Sequence, residues 1–295
     1  MVISFRHRFS QGLLQANYTY GHAFDEISNG GLFSSTTGSS LTPQEPSNLR
    51  GAYGPAEYDV RHSFNASYVW ELPLKTALHG HGRQTLVNGW QVSGTIFARS
   101  GFPYTVFDSF ASGNLAPSNN YFSAIYAVPV SVALARPLCG KGAAFSNPVQ
   151  PCQPPQLLPD GITPNPNAHF VQAGCETGFN KGNPGPYPSC TSGPAASLNF
   201  AQGRNRFRGP NYFNTDFTVM KNTKFPGWDK GSLGLGVQFF NFFNHPNFGP
   251  PDNNISDPLF GQILYMEQPA TTILGAGRGG DASARMIQLK AQLQF

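Results

Sequence analysis

Charged side chains are scarce in this sequence. They make up 12% of its 295 residues, about half the roughly 25% usual in soluble domains. Neither sign dominates: 19 Lys and Arg against 15 Asp and Glu leave a formal charge of +4, too little over this length to mark nucleic acid as a partner. Long apolar runs are missing as well. The longest mostly apolar stretch, Ala124 to Ala135, contains Pro129 and Ser131 and falls far short of the roughly 20 residues a membrane-spanning helix needs. No apolar stretch of signal-peptide length follows Arg6, His7 and Arg8, so the chain is expected either to stay in the cytoplasm or to lack its N-terminus. In contrast, 33 glycines and 26 prolines supply one residue in five, which argues against long helices. With 25 Phe and 11 Tyr beside so little charge, a soluble helical enzyme is a poor fit.

The hydropathy pattern has a period of two. At the C-terminus Ile287, Leu289, Ala291, Leu293 and Phe295 alternate with Gln288, Lys290, Gln292 and Gln294, giving a strand with one apolar and one polar face. The same alternation recurs upstream. Leu233, Leu235, Val237 and Phe239 alternate with Gly234, Gly236 and Gln238; Phe213, Thr215, Phe217 and Val219 with Asn214, Asp216 and Thr218. Trp90, Val92, Ile96 and Ala98 oppose Gln91, Ser93, Thr95 and Arg99; Phe64, Ala66, Tyr68 and Trp70 oppose Ser63, Asn65, Ser67 and Glu71. Leu14, Ala16, Tyr18 and Tyr20 oppose Gln15, Asn17 and Thr19; Ile3, Phe5 and Phe9 oppose Ser4, Arg6 and Arg8. Most of these seven segments reach the roughly 9–11 residues of a tilted strand crossing a bilayer, rather than the roughly 5–6 of an average soluble strand. Lys221 breaks the pattern on the apolar phase, through proximity to an interface or through a bulge that shifts the phase.

Connection lengths alternate too. Ser10 to Gly12 and Pro226 to Lys230 are short and Pro73 to Asn88 is intermediate, whereas residues near 25–57, 101–210 and 245–284 form long loops. Short turns on one side and long loops on the other are the arrangement of outer-membrane barrels, with the long loops extracellular. The expected fold is therefore all-β, an antiparallel transmembrane β-barrel with long external loops, located in the cell outer membrane and in contact with its lipid. Seven strands leave two open edges, and direct closure would pair the first and last in parallel. Unpaired backbone groups cost several kcal/mol each in hydrocarbon. Residues 1–295 are accordingly expected to be the C-terminal portion of a larger barrel. Arg6, Arg8, Gln91, Arg99, Gln238 and Lys290 are the candidates for its lumen-facing surface.

Several blocks carry a resemblance. Asn17 to Asp25 (NYTYGHAFD), Tyr58 to Phe64 (YDVRHSF), Tyr68 to Pro73 (YVWELP), Asn88 to Gly94 (NGWQVSG), Arg99 to Val106 (RSGFPYTV), Phe213 to Phe217 (FNTDF), Phe239 to Gly249 (FFNFFNHPNFG) and the terminal Arg285 to Phe295 occur in this order. Together they resemble successive blocks of the TonB-dependent receptors of the Oar-like type, abundant in acidobacteria. The resemblance implies a barrel of about 22 strands with an N-terminal plug, behind a carboxypeptidase-regulatory-like domain, moving large substrates with energy from TonB. Neither the plug nor the N-terminal domain is in the sequence, so TonB would act only through a plug missing from this chain. The resemblance also implies that Ile287, Leu289, Ala291, Leu293 and Phe295 form the signal read by the barrel-assembly machinery. Two other readings stay open: a structural barrel remnant without transport, and a soluble secreted β-protein with a disulfide-stapled adhesive loop.

The remaining motifs carry less. Cys139, Cys152, Cys175 and Cys190 all fall in the loop of residues 101–210, which also holds 16 of the 26 prolines. An even count in one external loop suggests disulfides; three connectivities are possible, and pairing neighbours closes the smallest rings. Zinc lacks any Cys-x-x-Cys spacing here. Gly275 to Gly280 matches a dinucleotide fingerprint, yet a strand follows instead of a helix. His79 and His81 could share a metal, although two nearby His in a polar turn are usually solvated; Asp252, Asn253, Asn254 and Asp257 could bind calcium as an oxygen-rich loop, but their spacing is not that of an EF-hand. Ser, His and Asp are scattered without a nucleophile-elbow motif, so neither an enzyme nor a cofactor is expected.

Overall fold

The structure is a computed structural model that describes residues 1–26, 28, 49–74, 84–108, 125–129, 170–172, 204–225, 228–253, 260–263, 265–267 and 284–295. One antiparallel sheet of seven strands dominates it. In chain order these are β1 (Val2–Phe9), β2 (Gly12–Tyr20), β3 (His62–Glu71), β4 (Trp90–Arg99), β5 (Tyr212–Phe225), β6 (Trp228–Phe240) and β7 (Met286–Gln294). Each strand pairs with the next, so spatial order follows sequence order throughout. Among the described residues no pairing joins β1 to β7.

The dyad pattern decides this architecture. Residues directly opposite in an antiparallel pair project to the same face, so the register can be followed across the sheet. One apolar row runs Phe9, Gly12, Trp70, Val92, Val219, Val237, Leu289. The neighbouring row on that face runs His7, Leu14, Tyr68, Gly94, Phe217, Phe239, Ile287. A one-residue slip in any pair would mix the faces; none occurs before the shift between Lys224 and Phe225. Trp90 to Ala98 spans about 27 Å along β4, or roughly 20 Å of height at barrel tilt, of the order of the ~25 Å apolar band of such barrels.

Among the described residues no second layer covers the apolar face. Ile3, Phe5, Leu14, Phe64, Leu235, Ile287 and Leu289 are exposed on it. A soluble sheet would bury such a surface against another layer, and an exposed apolar patch of this extent marks contact with a partner or a membrane. Buried hydrophobic residues are few. Ala66 lies on the apolar phase, Tyr212, Met220 and Phe240 on the other phase of the sheet, and a small core of Tyr104, Val106 and Phe260, with Phe207 packed against it, in the long-loop segments.

Three differences from the sequence pattern stand out. Strand β6 begins at Trp228, inside the span Pro226 to Lys230 expected as a connection. The loop of residues 101–210 is not strand-free. Pro103–Tyr104 pairs with Phe207–Arg208, and Ile125–Pro129 lies between Phe107–Asp108 and Phe170–Gln172. These pieces are two to five residues long, below the length at which alternation becomes readable. Lys221 keeps the phase of its strand, opposite Trp90 and Leu235, so no bulge accounts for it.

Candidate functional site

The polar face is assembled from the alternate residues of all seven strands. Arg6, Gln15, Ser67, Thr95 and Asp216 make one row across β1 to β5. Gln91 and Arg99 share the phase of Thr95 on β4; Gln238 pairs with Thr218, and Lys290 with Gly236. Register therefore sets Arg6, Arg8, Gln91, Arg99, Gln238 and Lys290 on one face. They do not form one cluster: Gln91, Gln238 and Lys290 line one basin, whereas Arg6 and Arg8 lie on the far edge strand, roughly 29 Å of sheet from Lys290 at ~4.8 Å per strand.

The centre of this face is an open basin of about 670 Å³ lined by Ser67, Gln91, Ser93, Thr95, Thr218, Gln238, Lys290 and Gln292. Neutral hydrogen-bonding groups dominate it. At its upper end Asp216 is buried and organises its surroundings. Its Oδ1 accepts bonds from Asn214 Nδ2 (2.9 Å) and from the backbone N–H of Asn241 (3.1 Å), and Thr95 Oγ1 donates to Oδ2 (3.3 Å). Asn241 has a φ of +49°, a left-handed conformation that asparagine tolerates. Its side chain closes the next turn through the carbonyl and N–H of His245. The buried carboxylate thus fixes the point where β6 ends and the third long loop begins.

Beyond the basin the described residues of the three long loops meet in a cap. From the second loop, buried Arg204 donates to the carbonyls of Asp25 (2.9 Å) and Ala52 (3.1 Å) and to Ser28 Oγ (3.2 Å), and pairs with the Asp25 carboxylate. Desolvation lowers its guanidinium to about 10, so it stays charged at neutral pH. Arg208 pairs with buried Asp59, which also meets His22 Nδ1 at 3.3 Å. Asn205 Nδ2 donates to the Pro55 carbonyl at 2.8 Å. The third loop joins through Asn253 Nδ2, which donates to the Thr105 carbonyl at 2.6 Å, and through Glu267, which pairs with Arg99. Arg99 also lies 3.9 Å from the Phe102 ring centre. Since Arg99 belongs to the polar phase, the cap leans over that face. Tyr104 sits fully buried in its core, where burial pushes the phenol pKa up.

The cap residues Asp25, Asp59, Arg204, Arg208 and Glu267, and Asp216 beneath them, carry no role in the sequence reading. One signal for them exists: Arg204, Arg206 and Arg208 bring three of the four arginines of residues 101–210 within five positions. Asn253, weighed above as a calcium ligand, is a cap hydrogen-bond donor. Cys139, Cys152, Cys175, Cys190, His79, His81, Asn254, Asp257 and Gly275 to Gly280 lie outside the described residues. Ile287, Leu289, Ala291 and Leu293 project on the apolar phase of β7 opposite Phe239, Val237, Leu235 and Leu233. Phe295 follows the strand and is 87% exposed.

A family model described as an outer membrane beta barrel domain matches residues 1–288. No curated protein and no solved structure matches the chain.

Proposed function

We propose, from the premise that this chain belongs to the family of outer membrane beta barrel domains and resides in the outer membrane, that it forms the C-terminal wall of a TonB-dependent receptor of the Oar-like type. The observation that carries this reading is the two-faced sheet. One face is predominantly apolar and exposed to acyl chains, and the other is a polar lining that ends under a cap of loop residues. Such a wall bounds a water-filled passage for a large substrate. The edges β1 and β7 run in the same direction, so further strands of the same barrel complete the wall, and the plug they enclose receives TonB. Expressed with its plug-bearing segment in a TonB-containing host, this barrel should cross-link to TonB in vivo. A self-contained barrel of these 295 residues that conducts without any TonB cross-link would sink the reading.

Assembly is the second part of the proposal. Strand β7 presents an unpaired outer edge among the described residues, with an exposed aromatic at its end. An edge of this kind can add to the sheet of the barrel-assembly machinery by strand augmentation. Deleting Phe295 should lower the amount of heat-modifiable protein in the outer-membrane fraction several-fold, while synthesis continues. Unchanged levels would remove the assembly role from that residue.

A further inference from the structure

Over the paired rows from Phe213 to Thr223, Lys221 is the one Lys, Arg, Asp or Glu on the apolar phase among the described residues. A bare ammonium facing hydrocarbon is costly, and lysine relieves the cost by reaching the headgroup layer. Here the side chain is held. Its Nζ donates to the Asn88 carbonyl and lies 5.9 Å from the centre of the Trp90 ring. The ring is itself fixed, since the indole N–H donates to the Leu86 carbonyl at 2.8 Å. The turn that carries Asn88 is clamped to β5 by the Asn222 N–H bond to the Gly89 carbonyl (2.7 Å). Gly89 has a φ of +80°, and a Cβ there would stand 2.0 Å from the Asn222 carbonyl oxygen, so the backbone comes as close as glycine alone permits.

These contacts leave donors over. An ammonium carries three N–H groups, and the Asn88 carbonyl takes one. The site lies at the depth of Trp90, where tryptophans meet the headgroups, on the side of the short, periplasmic turns. Leu86, 66% exposed, and exposed Leu235 flank it with apolar surface. A phosphodiester with acyl chains satisfies both halves of this arrangement; a free phosphate satisfies one. We propose that Lys221, the Asn88 turn and Trp90 form a headgroup site for an anionic phospholipid of the periplasmic leaflet. The site requires residence in the outer membrane and is independent of transport.

Native mass spectrometry of the full chain in neutral detergent, titrated with phosphatidylglycerol or phosphatidylcholine of equal chain length, tests this. At about 1 kcal/mol for a cation near the surface, phosphatidylglycerol should be retained about fivefold more tightly, and Lys221→Gln should abolish the preference. Inorganic phosphate at the same concentration should not displace the lipid. Equal retention of the two lipids, or a preference that survives in Lys221→Gln, overturns the proposal; displacement by inorganic phosphate overturns the lipid as its occupant. If Lys221→Gln does not assemble, Lys221→Arg and Lys290→Gln decide, the latter removing a cation from the opposite face. Both should keep the preference, and its loss in either overturns the site.

Discussion

Replacing Arg204 by alanine should cost about 3–5 kcal/mol, the range expected when one partner of a buried ion pair is removed. The guanidinium is 3% exposed and serves Asp25, Ser28 and Ala52 at once. Truncation leaves the Asp25 carboxylate without its counter-charge, and three acceptors of the first loop, the Asp25 and Ala52 carbonyls and Ser28 Oγ, lose this donor. Lysine would not rescue the variant fully, because one ammonium cannot reproduce a planar fork reaching three acceptors. Limited proteolysis should find the cap opening in R204A while the sheet stays folded. The thermal transition of the cap, followed by near-ultraviolet signals of Tyr104 and its neighbours, should fall with it. If R204A and wild type resist protease equally, the cap is not held by this residue. A double-mutant cycle with Asp25→Ala isolates the pair, and its coupling should be the larger part of the loss.

Charge placed on the apolar face should be nearly as damaging, and the effect should alternate. Leu289 is 80% exposed at the middle of β7, so Leu289→Arg brings a guanidinium to the centre of the bilayer, at about 2–4 kcal/mol. Gln288→Arg, one position away on the other phase, should change stability by no more than a surface substitution does, within about 0.5 kcal/mol. Unfolding from lipid vesicles by guanidinium chloride reads both. In a soluble sheet with water on both faces the two variants would behave alike.

These two variants also mark the boundary of what the sequence discloses. The strands of the sheet are legible because each repeats a two-residue period over seven or more positions, and a slip by one residue would move every side chain to the wrong face. The neighbours in space follow chain order as well, across short turns and the three long loops alike, as in an up-and-down barrel wall. The cap is not legible. Arg204 meets Asp25 and Arg208 meets Asp59 through loops with no period, and such pairs are set by tertiary packing alone. Asp216 is a middle case: its phase is plain from Phe213 to Val219, whereas its role at Asn241 depends on a turn in the left-handed region that no alternation announces. The six polar-face candidates share a phase, as their alternation requires, and the register spreads them across the sheet instead of into a single cluster.

Arg204 and Asp25 stand 179 residues apart along the chain, whereas β1 and β2 meet through a two-residue turn. Contacts of such different separation form on different timescales, because closing a long loop delays the reward of its contacts. Adjacent strands can zip as soon as they emerge, but the cap has to wait for residues 204–208 to arrive. Its Arg204 and Arg208 ion pairs therefore become possible only after β1 to β4 and before β5 to β7, so the outer mouth of the wall stays unsealed while the first four strands form.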